Sequence, residues 1–345
     1  MKPELETVVG QRLPRKIFVR ATNWIGDGVM MTPALGAVRE TFPDAEIVVA
    51  ANPLVAQLFS HHPWCDRVMV YDRKGPHKGV RGFLRFVREV RGEGFDLAIL
   101  MQKAFEAALL TYLAKVPRRI GFSSDGRRFL LTSSTSLTSA VKRLHHSRHY
   151  LHMLRTFGIE GEAQNLTLKL TAEEEANAKE RLGDGRWVAI NPGAAYGSAK
   201  RWYPERFAAV ADTLASELGL RVVLIGGPGE KQIGHDIEEM MAGECLNLVG
   251  ETSVREMMAV ISRSVLMVTN DSGPMHVAAA LQVPIVAIFG PTDHTTTYPW
   301  SEQYQVVRAE VDCAPCLKRT CPTDHRCMLS VTSDDVVKAA KMFIA

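Results

Sequence analysis

No run of apolar residues in this chain approaches the ~18 that a membrane-crossing helix requires, so no stretch reads as a transmembrane segment. The opening "MKPELETVVGQRLPRK" lacks the apolar core of a secretory leader, and the chain reads as cytoplasmic with no more than peripheral membrane contact. Six cysteines in 345 residues exclude a small disulfide scaffold. No Asp-x-Asp pair occurs anywhere, which counts against a divalent cation held through that motif. Neither sign of charge dominates, with 41 Lys and Arg against 38 Asp and Glu. At 46% hydrophobic and 23% charged residues, the composition is that of an ordinary globular protein, neither disordered nor collagenous, and long enough for two domains.

What is present is a pattern given twice. Strand-like runs "IFVR", "EIVVAAN", "RVMVYD", "DLAILM" and "RRIGF" alternate with helical periodicity before residue 125. "WVAINPG", "RVVLIGG", "LNLVG", "LMVTND" and "PIVAIFG" do the same after residue 186. This is the βαβ signature of a doubly wound parallel sheet. The polar, acidic, Gly-containing stretch around 159–186 is the place for a boundary, predicting an N-terminal domain of 1–170 and a C-terminal domain of 171–345. The final "SDDVVKAAKMFIA" predicts a capped amphipathic helix, expected to pack back on the first domain. Two Rossmann-like sheets facing each other would leave a central cleft at their carboxyl edges.

Candidate chemistry sits in the strand-to-helix turns. After Ile17–Arg20, the segment "RATNWIGDGVMMTPALGAV" puts Asp27 between Gly26 and Gly28, ahead of a helix expected over residues 29–41. A lone acid there is either a helix cap or a group aimed at a ligand. In the second half, "TNDSGPMHVAAAL" makes a turn at Asp271-Ser272-Gly273 and then a helix carrying His276, whose free N–H groups suit a phosphate or diphosphate. "GGPGEKQ" places Glu230 after a strand, able to accept from a ribose or adenine or to complement a helix dipole. "NPGAAYGSAKRWYPERF" offers Lys200 as a flexible cation within reach of a diphosphate. Three consecutive loops of this kind point to a nucleotide diphosphate in the second domain.

"ATNWIGDGVMMTPAL", "NPGAAYGSAKRW", "NDSGPMHVAAALQVPIVAIFGPTD" and "CAPCLKRTCPTDHRCM", in order and over nearly the whole chain, resemble the lipopolysaccharide heptosyltransferases of glycosyltransferase family 9. The resemblance implies a GT-B fold. It implies ADP-L-glycero-β-D-manno-heptose as donor and the heptosyl-Kdo2-lipid A inner core at the inner membrane as acceptor. It also implies inverting transfer with no cofactor or metal required. Asp27 then matches the catalytic acid residue of the family, Lys200 its diphosphate-contacting lysine and Asp271 the acid of its DxG turn. Ser272, Gly273 and His276 join them in the donor site, and Glu230 matches the ribose or adenine contact. A carboxylate within hydrogen-bond reach of the acceptor hydroxyl can take its proton as the glycosidic bond forms, which reads Asp27 as general base. Lys200 and the amides near 272–273 would stabilise charge on the departing diphosphate.

Lys and Arg crowd residues 73–91 and 103–148, all in the acceptor half. An acceptor with Kdo carboxylates and lipid A phosphates needs such cations, and Lys103, Arg119, Arg127 and Arg128 are its expected contacts; nucleic acid is not an expected partner. Cys313, Cys316, Cys321 and Cys327, near His325, begin with C-x2-C spacing but are too closely set for an ordinary zinc ribbon. Reduced thiols, a structural zinc and a conditional disulfide all remain open. Alternative functions are an earlier heptosyl transfer or another family 9 acceptor, a GT-B sugar-nucleotide epimerase, and a non-catalytic ADP-sugar-binding module.

Overall fold

The computed structural model describes residues 5, 6, 8, 12–162 and 165–344. Residues 1–4, 7 and 9–11 of the opening stretch, read above for a leader, lie outside them. The chain divides into two units, Met1–Lys169 and Leu170–Ala345.

The first unit is built on β1 (Lys16–Arg20), β2 (Glu46–Ala51), β3 (Arg67–Val70), β4 (Leu97–Leu100), β5 (Arg118–Phe122) and β6 (Ser133–Thr135). All pair in parallel in the order β3-β2-β1-β4-β5-β6. The central strands are continuous apolar runs because helices cover both faces of such a sheet. Phe18 lies between Val48 and Ala98 in register, and all three are fully buried. The helix Gly79–Gly92 adds Phe86 and Val90 to this core, each contributing about 1.5–3 kcal/mol by leaving water. Strand order reverses between β1 and β4, and a doubly wound sheet opens its ligand crevice there, beyond the carboxyl ends.

The second unit repeats the order. Its strands are β7 (Trp187–Asn191), β8 (Arg221–Leu224), β9 (Cys245–Asn247), β10 (Ser264–Asn270), β11 (Ile285–Ile288) and β12 (Tyr304–Val307), arranged β12-β11-β10-β7-β8-β9 and all parallel. Read from β9, this is the same succession as in the first unit, with the reversal between β7 and β10. The last helix, Ser333–Ile344, buries Val336, Val337, Ala340 and Ile344 in the same core as Phe207 and Leu214. Its apolar stripe is thus occupied within the second unit.

Two strands, β6 and β12, are absent from the sequence reading; both are half-buried edges. The helix expected over residues 29–41 is two helices, Ile25–Met30 and Thr32–Thr41, meeting at Met31. It begins four residues earlier than expected, which changes the setting of Asp27. Among the described residues no helix is long and apolar enough to cross a membrane.

Candidate active site

At the first reversal point, the chain leaving β1 is held before it turns. Buried Arg20 donates to the carbonyls of Ala21 (2.9 Å) and Ala50 (3.1 Å) and reaches Asn23 Oδ1 at 3.3 Å. Burial lowers its pKa to about 10, so it stays charged at neutral pH. Asn52 caps the helix Pro53–Ala56 with Oδ1 and donates from Nδ2 to the Asn23 carbonyl at 2.8 Å. The helix that follows β1, Ile25–Met30, has Trp24 at its cap position, with an extended backbone and no side-chain bond, so Asp27 is not the cap. It is a first-turn acid, where the helix dipole favours a carboxylate. Gly28 does not serve a tight turn either. A Cβ there would stand 3.0 Å from both Leu58 Cδ1 and Val55 Cγ1, so glycine lets this helix seat closely.

Donors surround the Asp27 carboxylate. His146 Nδ1 is 3.7 Å from Oδ1, and the side chain of Asp27 is 30% exposed. The buried Tyr150 hydroxyl hydrogen-bonds to Asp27; burial, helped by the charge and hydrogen bond of Asp27, pushes that hydroxyl well above its ordinary pKa. Lys103, just beyond β4 across the reversal point, feels Asp27 as well. Burial pulls its pKa down while Asp27 pulls it up. His146 and Tyr150 are not among the candidates read from the sequence, although His146 lies within the basic stretch 103–148.

The other expected acceptor contacts separate. Arg127 is fully buried and donates to the carbonyls of Phe122 (2.9 Å), Gln102 (2.5 Å) and Ala104 (3.0 Å). Arg119 donates to the carbonyls of Leu130 (2.7 Å) and Val116 and lies over the Tyr112 ring. Both guanidiniums tie down loops, and burial lowers both pKa values, that of Arg127 to about 10. Arg128 is exposed.

At the second reversal point two asparagines shape the loops. Asn191, ending β7, donates to the Ile225 carbonyl at 3.0 Å; Asn270, ending β10, donates to the Pro192 carbonyl (2.7 Å) and accepts from Trp202 N–H (3.1 Å). Lys200 is therefore not free. Its Nζ donates to Asp271 Oδ2 at 2.6 Å, with the lysine side chain 12% exposed and the aspartate 5%. Thr292 Oγ1 donates to the same oxygen at 2.6 Å. An ammonium has three donors, so Lys200 can keep this partner and still present N–H to a ligand. Ser272 precedes the helix Gly273–Ala280 and gives that helix no side-chain cap, because its Oγ donates to Asn191 Oδ1 at 2.9 Å. The first-turn amides thus keep an uncapped, electropositive end. His276 lies buried within that helix.

Glu230 accepts from Gly227 N–H at 2.7 Å, and its carboxylate lies over Gly193, where a Cβ would fall 2.0 Å from Glu230 Cδ. The cysteine-rich segment closes the other side of the Lys200 loop. Ala199 N–H donates to the Arg319 carbonyl at 3.0 Å, the Ala199 carbonyl meets His325 Nε2 at 2.8 Å, and Tyr196 hydroxyl donates to the Leu317 carbonyl at 2.9 Å. All six cysteines are free thiols. Among the described residues no group of three His, Cys, Asp or Glu is arranged to hold a metal ion.

Two Rossmann-ordered units, one with a carboxylate among donors at its reversal point and the other with an ammonium and an uncapped helix start, match the GT-B architecture of glycosyltransferases. The chain belongs to glycosyltransferase family 9 (heptosyltransferase), whose model matches residues 83–326. It is similar to lipopolysaccharide heptosyltransferase 2 of Salmonella typhimurium, 30% identical over 85% of this chain and 88% of that one. Lipooligosaccharide heptosyltransferase 2 of Campylobacter jejuni is 28% identical over 94% of this chain and 97% of its own. Among solved structures, the ADP-heptose LPS heptosyltransferase II of E. coli superposes with a TM-score of 0.82 at 25% identity, covering 95% of this chain and 98% of the other. These likenesses are to type II members, in line with the "NWIGD" and "NPGAAYGSAKRW" motifs.

Proposed function

We propose that this enzyme transfers L-glycero-D-manno-heptose from ADP-heptose to the heptosyl-Kdo2-lipid A inner core, with inversion and without a required metal ion. It would work in the cytoplasm, against a membrane-borne acceptor. The observation that carries the reading is the Lys200–Asp271 pair beside the uncapped start of Gly273–Ala280. A lysine fixed by a carboxylate pays little rotamer entropy when a diphosphate arrives, and its spare N–H groups are already directed. As the sugar–phosphate bond breaks, charge grows on the leaving ADP. Lys200 and the amides near 272–273 hold that charge more strongly than in the ground state.

Asp27 takes the proton of the attacking hydroxyl. Donation from Tyr150 keeps the carboxylate oriented, and Lys103 with exposed Arg128 meets the anionic groups of the acceptor. Arg119 and Arg127 leave the acceptor set and act as loop braces. Glu230, bound on one side by Gly227 N–H, keeps acceptor capacity for ribose or adenine hydrogen bonds. The test is a mass-resolved assay of ADP-heptose against truncated core acceptors, run with and without excess EDTA. Heptose addition only to an acceptor already bearing one heptose, persisting in EDTA, is the expected result. Addition to an unheptosylated acceptor would assign the earlier transfer, ADP release without acceptor would point to an epimerase or hydrolase, and magnesium-specific rescue would end the metal-free mechanism.

A further inference from the structure

The helix Gly79–Gly92 buries Gly82, Phe86, Val87 and Val90 and turns its other face to solvent. That face carries Arg81, Arg85, Arg88 and Arg91, joined by Lys74 and Lys78 on the preceding turn, and all six are exposed. None of the six has an ion-pair partner among the described residues, whereas Lys16, Arg39, Arg67 and Arg73 of the same unit each pair with a carboxylate. The acid on the helix, Glu89, faces His77 at 3.2 Å instead. Amid the cations stand two exposed apolar side chains one turn apart, Val80 at 75% and Leu84 at 41%.

Unpaired cations alone would suit any polyanion. The apolar pair selects among them, because a bilayer offers phosphates for the arginines and an acyl boundary for Val80 and Leu84, while a nucleic acid backbone offers only the first. Long arginine side chains can reach outward to headgroups while apolar neighbours enter. We propose that this face docks the enzyme on a phospholipid bilayer bearing net negative headgroups. The proposal rests on the reading above in one respect, that an acceptor anchored by acyl chains is met at a bilayer.

Sedimentation of the full chain with phosphatidylcholine vesicles containing roughly a third phosphatidylglycerol tests it. Binding is expected to the mixed vesicles, to weaken with salt, and to be far lower with pure phosphatidylcholine. Arg81→Gln, Arg85→Gln and Arg88→Gln together should lower affinity roughly fivefold per arginine, about a hundredfold in all. Val80→Ser with Leu84→Ser should remove the binding that survives high salt. Both variants should keep the parent kcat/KM toward a water-soluble truncated acceptor. Vesicle binding indifferent to headgroup charge or to these arginines would overturn the docking proposal, as would preference for a duplex oligonucleotide over vesicles. Proper vesicle docking with no transfer to any acceptor would sink the functional reading and leave the docking face standing.

Discussion

The two units share one strand order and differ in what they place where that order reverses. The first sets a carboxylate among donors, Asp27 with Tyr150, His146 and Lys103. The second sets a cation among acceptors, Lys200 with Asp271. The same topology therefore delivers opposite charge, a carboxylate at one sheet's reversal point and an ammonium at the other's. The rest of the basic residues sharpen the point. Arg20 and Arg127 give their guanidiniums to backbone carbonyls and serve the fold. Lys200 is held by the carboxylate and carbonyl of Asp271 and retains a donor for a ligand.

The largest expected effect comes from breaking the first side. Asp27→Ala should slow transfer ~10²–10⁴-fold, the usual cost of losing a general base, while leaving ADP-heptose affinity and melting temperature nearly unchanged. Isothermal titration beside initial rates checks this, and near-parent turnover would make Asp27 a mere first-turn acid.

Breaking the second side should be smaller and of a different kind. Lys200→Ala should lower kcat and weaken donor binding together, by roughly tenfold to a hundredfold in kcat/KM, since the lost contact strengthens in the transition state. A change confined to KM would mean uniform binding only. Arg127→Met provides the contrast, because orphaning three carbonyls should cost about 1–3 kcal/mol each and lower the melting temperature, with little effect on kcat of the folded enzyme.

How much of this was legible follows the physics of each signal. Buried parallel strands such as β2 (Glu46–Ala51) carry continuous apolar runs and announce themselves. The edges Ser133–Thr135 and Tyr304–Val307 do not, because a half-buried rim strand need not be apolar. Asp27 was visible as a lone acid between glycines, but the glycines suggested a turn where close seating against Val55 and Leu58 is what Gly28 permits. The partner of Lys200 lies 71 residues away, so no local spacing could reveal that the lysine is fixed. Arg119 and Arg127 read as anion contacts because a basic cluster looks the same whether its guanidiniums face a ligand or a carbonyl.

The smallest effect separates the units by acid. Burial lowers the His62 and His149 pKa values to about 4 in the first unit, so both stay neutral in the fold while an unfolded chain protonates near 6.5. The unfolded state then binds more protons, and their contribution, complete above about 6.5, fades as pH falls toward 4. In the second unit, hydrogen bonding from Arg255 lowers the Glu174 pKa to about 2. Its contribution is complete above about 4.5 and disappears only as pH falls through 2. Amide protection factors, with the slower intrinsic exchange at low pH divided out, should therefore fall at about pH 5 relative to pH 7 in residues 16–160 before they do in 187–344. Simultaneous loss of protection in both would contradict the distinction.

The space above Gly193 is already taken by the Glu230 carboxylate. Position 193 thus governs where the acid at 230 can lie although it has no side chain to offer. A methyl group there and an acid at 230 are mutually exclusive tenants of one volume. A family member that acquires a side chain at 193 must therefore re-aim or abandon the acid at 230.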